Sequence, residues 1–315
     1  MKIAFMGTPD FAVPSLRALI AAGHSIEVVV TQPDRPKGRG GEVAMSAVKE
    51  YAIEEGIKVM QPEKIKKDEE TIEYLKSLDL DFFVVIAYGQ ILNKEILDIP
   101  KKGCINVHGS LLPEYRGAAP IQWAIVDGKD ETGVTTMLMD EGMDTGDMLL
   151  KRSIAILSTD TAGTLHEKLS MLGADAIVST IESFDKIIPE KQNEELVTYA
   201  KIIDKKMGLI NWDQNSKEIV DLVRGFAPWP SAYTYLNNKM FKVWGAREYT
   251  FDNKRGVVPG QIVYVDNNEG IVIKTKNGHV MITDMQMQGK KRMETKEYLR
   301  GNTFEIGTVL GINKN

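Results

Sequence analysis

The chain of 315 residues has one cysteine, Cys104. A lone thiol forms no internal disulfide and no multi-thiolate metal site, so disulfide scaffolds, zinc fingers and iron–sulfur clusters lack ligands; a cytoplasmic, metal-free protein is expected. Long apolar runs are missing too. The longest, such as residues 82–87, fall far short of the ~20 a membrane span needs, and Met1-Lys2-Ile3-Ala4-Phe5 enters a strand pattern with no signal-peptide signature, so no membrane partner is expected. Glycine is absent where a dinucleotide fingerprint would need it: Gly7-Thr8-Pro9-Asp10-Phe11 lacks the second and third glycines of G-x-G-x-x-G, which argues against a dehydrogenase, and there is no Walker A sequence. No repeat, low-complexity tract or extended heptad pattern is present, and a monomer is expected.

With 43% hydrophobic and 26% charged residues, the composition is that of an ordinary globular protein long enough for two domains. Charge is unevenly shared. Residues 1–205 carry 23 Lys+Arg against 33 Asp+Glu, and residues 206–315 carry 16 against 11, so an acidic chain ends in a basic part of net +5 suited to an anionic partner.

Hydrophobic periodicity alternates strands (residues 2–7, 26–31, 57–60, 81–87, 104–108) with helices (11–22, 45–55, 68–77, near 93–97). Segments 134–140 and 148–156 read as a hairpin, and 161–187 as a long helix. This pattern predicts α/β architecture, with a doubly wound, mostly parallel sheet over residues 1–188. A polar stretch, 189–205, reads as a linker. Beyond it, 216–226 reads as a helix capped by Ser216. Short β-segments separated by Asn237-Asn238, Asn267-Asn268 and Asn277-Gly278 then predict a small, OB-like β-barrel within 206–315.

The informative stretch is Gly103-Cys104-Ile105-Asn106-Val107-His108-Gly109-Ser110-Leu111-Leu112-Pro113. Strand alternation puts Cys104, Asn106 and His108 on one face, with a carboxamide and an imidazole near the strand's C-terminal end, where α/β sheets bind ligands. Cys104, nearer the strand's middle, reads as a small packed hydrophobe rather than a nucleophile. In Asp140-Glu141-Gly142-Met143-Asp144-Thr145-Gly146-Asp147, glycines two residues either side of Asp144 allow a loop that carries a carboxylate to His108; the bland alternative is an acidic surface turn. His24, His166 and His279 read as solvated, capping or exposed, and Trp229 and Trp244 as packing residues.

These two motifs, with Tyr115-Arg116-Gly117-Ala118-Ala119-Pro120, resemble the active-site signature of the 10-formyltetrahydrofolate-dependent formyltransferases. Phe5-Met6-Gly7-Thr8-Pro9-Asp10-Phe11-Ala12, Thr31-Gln32-Pro33-Asp34-Arg35-Pro36, Gly38-Arg39-Gly40 and Phe226-Ala227-Pro228-Trp229-Pro230 extend the resemblance over nearly the whole chain, to the branch that formylates methionyl initiator tRNA for translation initiation. The resemblance implies a Rossmann-like formyltransferase domain, 10-formyltetrahydrofolate as formyl donor, catalysis by Asn106, His108 and Asp144, and a folate-facing loop of Ser110, Leu111, Leu112 and Pro113. Gly109 and Glu114 depart from it, standing where the family usually has alanine and a basic residue.

Chemistry agrees with that assignment. Attack of an amine on a formyl group needs a donor for the oxyanion, which a carboxamide supplies, and proton transfer at two nitrogens, which a His–Asp pair supplies; no covalent intermediate is required. For the acceptor, Arg35, Lys37 and Arg39 lie in a Gly/Pro-rich loop suited to clamping the end of an RNA helix, and Lys290, Lys291 and Arg292 give the barrel a basic run that suits an RNA backbone. Two alternatives stay open: a related formyltransferase or hydrolase that acts with the same folate on a small-molecule amine or water, and a non-catalytic RNA-binding protein.

Overall fold

The computed structural model describes residues 1–37, 42–252 and 256–311, with the main chain alone at Lys37 and Glu42. The first part runs β1 (Lys2–Gly7), α1 (Val13–Ala21), β2 (Ser25–Val30), β3 (Arg35–Lys37), β4 (Glu42–Ala44), α2 (Ala47–Glu54), β5 (Val59–Met60), α3 (Glu69–Ser77), β6 (Phe82–Ile86), α4 (Lys94–Leu97), β7 (Cys104–His108), β8 (Arg116–Gly117), α5 (Pro120–Val126), β9 (Glu131–Leu138), β10 (Met148–Ala155), α6 (Ala162–Ser183) and β11 (Tyr199–Ala200). Seven strands form one sheet in the order β10-β9-β7-β6-β1-β2-β5. The run from β7 to β5 is parallel, and β9 is antiparallel to β7.

Sequence explains these elements locally. All five residues of β6, Phe-Phe-Val-Val-Ile, are buried, as expected of a parallel strand covered on both faces. Ser46 and Asp68 start α2 and α3 by accepting the N–H of Lys49 at 3.1 Å and of Thr71 at 2.9 Å, caps worth about 1 kcal/mol each. The chain winds from β1 through β2 to β5 and then returns to β6 on the other side of β1. That reversal sets the topological switch point, where open α/β sheets bind ligands, at the C-terminal ends of β1 and β6, with β7 next to β6.

Differences from the sequence reading lie mostly at element ends. Asp10–Ala12 tightens into a 3-10 turn before α1, and α6 stops at Ser183, where Phe184 turns edge-on to Phe82 with ring centroids 4.8 Å apart. The seven residues of α5 are too few to print a helical period, and they begin at Pro120, the last residue of the Tyr115–Pro120 motif. The chain divides into two units, one of Met1–Pro120, Thr132–Ile154 and His166–Ala200, the other of Ile121–Glu131, Ala155–Leu165 and residues from Lys201 onward. Much of the polar stretch 189–205 therefore lies in the first unit. Glu190 and Met148 exchange main-chain hydrogen bonds of 2.9 and 2.8 Å, and β11 pairs parallel to β8.

The second unit contains α7 (Ser216–Gly225), β12 (Ala232–Leu236), β13 (Lys239–Tyr249), β14 (Ile262–Asp266), β15 (Gly270–Lys274), β16 (His279–Met287), β17 (Met293–Glu294) and α8 (Thr295–Leu299). Its strands are antiparallel in the order β12-β13-β16-β15-β14, with β17 on β16. Asn237 and Asn238 both take positive φ, 50° and 62°, as a tight turn between β12 and β13 requires. Residues 307–311 close the sheet into a barrel: Thr308 O accepts from Ile262 N at 2.8 Å, Leu310 N donates to Gly260 O at 2.8 Å, and Gly311 N donates to Tyr235 O of β12 at 2.9 Å. Inside lie Phe241, Val243, Ile262, Ile271, Ile273 and Ile282, with Ile219 and Val223 from α7. Asn215 rather than Ser216 caps that helix; Glu218 accepts the Asn215 N–H at 2.8 Å, and the Ser216 hydroxyl donates to Glu248 instead.

Candidate active site

β7 lies between β6 and β9, so its main chain is held on both edges and its side chains alternate strictly. Cys104 packs among apolar residues, its thiol 3.5 Å from Leu97 O, and burial pushes its pKa up to about 12. It is no thiolate nucleophile near neutral pH. Two residues on, Asn106 is half-buried and its carboxamide hydrogen-bonds to none of the described residues. His108, at the strand's end, is buried, with only 7% of its surface exposed.

After the strand the chain turns sharply. Ser110 Oγ donates to Glu114 O at 2.6 Å, while Thr135 Oγ1 donates to Ser110 O at 2.8 Å and accepts from Leu112 N at 3.0 Å. Leu112 packs with Met137 and Met148, and the Leu112–Pro113 peptide is cis. Ser110, Leu112 and Pro113 are consequently buried, and Leu111 keeps the largest open surface of the four. The turn brings Tyr115 O to 2.9 Å from His108 Nε2. A carbonyl only accepts, so the network assigns a hydrogen to Nε2.

The other ring nitrogen, Nδ1, is 3.6 Å from Asp144 Oδ2, which also accepts the Gly117 N–H at 2.8 Å. Asp144 sits at φ 57° and Tyr115 at φ 60°, left-handed conformations that cost a non-glycine residue about 1–3 kcal/mol each and persist only where neighbours hold them. Glycine is needed beside them. A Cβ on Gly146 would lie 1.6 Å from Leu138 O, and one on Gly117, at φ +113°, would lie 2.8 Å from Ala200 O.

Arg116 is 1% exposed, and an unpaired guanidinium there would cost several kcal/mol. Its Nε donates to Gln192 Oε1 at 2.9 Å and its Nη2 to Glu194 Oε1 at 2.8 Å; this hydrogen bond holds the Glu194 carboxyl below its ordinary pKa. Gln192 in turn donates to Asp144 O and Gly146 O, both at 2.8 Å. The sequence reading missed Gln192, since one amide in a polar stretch carries no periodic or motif signal.

Residues 1–181 match the formyl transferase family, and residues 202–303 match the family described as formyl transferase, C-terminal domain. The chain belongs to the formyl transferase family. Methionyl-tRNA formyltransferase of Clostridium tetani is 52% identical over 98% of this chain and 99% of its own length; the enzyme of the same name from Clostridium acetobutylicum is 51% identical over 98% and 99%. Among solved structures, the sugar 3N-formyl transferase WlaRD, crystallised in the presence of dTDP and 5-N-formyl-THF, superposes with TM-score 0.65 at 22% identity, covering 92% of this chain and 99% of that one. At that identity the likeness is one of fold.

Elsewhere on this formyl transferase, β3 and β4 pair antiparallel, Arg35 opposite Ala44, so the arms of the basic loop are strands. Arg35 Nη2 is 3.4 Å from Gln32 Oε1, the Lys37 side chain is outside the described set, and Arg39 lies outside the described residues altogether. Lys290 and Lys291 are exposed, while Arg292 pairs with Asp284 and lies 5.0 Å from the centroid of the Trp244 ring. Trp229, read as a packing residue, is 50% exposed. His279, read as exposed, is 5% exposed and its Nε2 has no hydrogen-bond partner among the described residues; burial first, then the Lys274 charge, lowers its pKa. Among the described residues no group of three or more His, Cys, Asp or Glu could hold a metal ion, and no helix is long and apolar enough to cross a membrane.

Proposed function

We propose that this formyl transferase moves the formyl group of 10-formyltetrahydrofolate to the α-amino group of methionyl initiator tRNA, giving N-formylmethionyl-tRNA. The observation that carries the reading is the constellation at the end of β7. A carboxamide with no hydrogen-bond partner among the described residues stands two residues from an imidazole whose Nε2 is committed to a main-chain carbonyl and whose Nδ1 faces a carboxylate. Near full-length similarity to enzymes named for this reaction supports the choice of acceptor.

The folate, when bound, supplies the formyl group, and the donor set at the end of β7 fits such a co-substrate: an amide donor with no hydrogen bond to the described residues beside an imidazole. As the neutral amine adds to the formyl carbon, the C=O electron pair moves to oxygen, and Asn106 Nδ2–H donates to that oxyanion. His108 takes or gives a proton at Nδ1, the nitrogen without a hydrogen bond, while the Asp144 carboxylate stabilises a proton held there. The proton lost by the amine ends on N10 as the C–N10 bond breaks, so no covalent intermediate forms on the chain. The half-buried Leu111 gives the Ser110–Pro113 loop an apolar surface for the folate. Arg35, Lys37 and Arg39, with Lys290, Lys291 and Arg292 on the basic barrel, contact the tRNA backbone.

Single-turnover formylation tests the reading: the protein is mixed with 10-formyltetrahydrofolate and methionyl initiator tRNA, and formyl-methionine is followed after tRNA hydrolysis. Fast product with initiator tRNA and slow product with elongator tRNA is expected. Loss of formyl to a small amine or to water, with none on tRNA, moves the acceptor to the sugar-type relatives; tRNA binding with no loss of formyl leaves an RNA-binding protein.

A further inference from the structure

Gln192 has two N–H donors and one carbonyl, and each meets a partner that allows one orientation only. Asp144 O and Gly146 O can only accept, and the Arg116 guanidinium can only donate, so rotating the amide by half a turn would set its oxygen against two carbonyls and its NH2 against a cation. Such an amide is a fixed bracket. What it grips is the main chain on either side of Thr145, including the left-handed peptide of Asp144.

The tripeptide Tyr115-Arg116-Gly117 completes the arrangement. Tyr115 O fixes His108 Nε2, Gly117 N fixes Asp144 Oδ2, and the Arg116 side chain orients Gln192. Residues 198–200 hold the tripeptide itself: Tyr115 N donates to Thr198 Oγ1 at 2.8 Å, and Arg116 N to Thr198 O at 2.9 Å.

We propose that Gln192 is a positioning residue for formyl transfer: it locks the Asp144 backbone in the conformation that aims the carboxylate at His108 Nδ1, and Arg116 holds it in the orientation this requires. The proposal rests on the reading of His108 and Asp144 as the reacting pair. Gln192 touches no reacting atom and acts only through Asp144, so its effect depends on the charge that Asp144 carries.

The test is a double-variant cycle on the full chain, with kcat, KM for both substrates and the pH–rate profile as readouts. Gln192→Met keeps the side chain's length and removes its hydrogen bonds; Gln192→Glu keeps a partner for Arg116 and sets carboxylate oxygens against the two carbonyls. Either change is expected to lower kcat on the order of 100-fold, the loss that a misplacement of ~1 Å produces, with KM within about twofold. The pH–rate profile should move in the direction that Asp144→Asn moves it. In the Asp144→Asn background the further loss should be under about threefold, because the charge being aimed is gone.

A folded Gln192 variant with unchanged kcat, or losses that multiply in the double variant, overturns the proposal and leaves the reading of Asp144 standing. Unchanged turnover in Asp144→Asn overturns that reading and the proposal with it. If Gln192→Met does not fold, Gln192→Glu is read alone; failure of both to fold also overturns the proposal, since a residue that only positions the site is dispensable for the fold.

Discussion

His108 in the first unit and His279 in the second are both buried strand residues, 7% and 5% exposed, and they are built for opposite purposes. Around His108 each ring nitrogen faces an oxygen: Tyr115 O at Nε2, Asp144 Oδ2 near Nδ1. Around His279 the ring meets Phe251 edge-on at 5.7 Å, Nε2 has no hydrogen-bond partner among the described residues, and the residue opposite on β15 is Lys274. The first environment offers a proton a counter-charge. The second offers desolvation and a like charge, both of which lower the pKa of its imidazole. Burial by itself says little about a histidine's chemistry; the atoms set against its two nitrogens say nearly all of it.

The largest test of this contrast is His108→Ala, which removes the proposed proton carrier and should lower the single-turnover rate on the order of 1000-fold, with tRNA binding retained. Asp144→Asn makes the first histidine more like the second by deleting its counter-charge while leaving an acceptor for Gly117 N. A loss on the order of 100-fold and a displaced pH–rate profile are expected, and wild-type kinetics in that variant would break the comparison.

His279→Phe leaves turnover within about twofold and acts on stability. The folded pKa of His279 is lowered, so the unfolded chain, at about 6.5, takes up the proton first. The neutral ring's contribution is therefore complete above that pH and is lost as the pH falls toward the folded value. Between pH 7 and pH 5 the wild-type Tm should therefore drop relative to that of His279→Phe. Parallel Tm curves would remove the assigned cause.

The smallest effect belongs to Cys104→Ala, with turnover within about twofold. Its thiol, pushed up to about 12, should react with an aromatic disulfide at pH 8 at least about tenfold more slowly in the native than in the unfolded protein.

Much of this was legible from residue order. Alternation along Cys104–His108 places Asn106 and His108 together, and the glycines around Asp144 imply a loop lying flush on its neighbours, as at Gly146, where an added Cβ would fall 1.6 Å from Leu138 O. Apolar runs and turn pairs outline both the parallel sheet and the barrel. What stayed hidden depends on partners distant in sequence. Gln192 acquires its meaning only beside Arg116 and Asp144, 76 and 48 residues away. His279 follows a turn, Asn277-Gly278, and looks exposed until β13 and β15 cover it. Trp229 has the composition of a core residue, yet it stands half in solvent.

The strap formed by residues 190–200 also bears on how the protein comes to life on the ribosome. All three residues assigned to chemistry have been synthesised by Asp144, but Gln192, Thr198 and Ala200 have not, and the brackets that hold Tyr115, Arg116 and Gly117 come last. A chain that ends short of the strap thus has Asn106, His108 and Asp144 but not the hydrogen bonds that Gln192 and Thr198 supply around them.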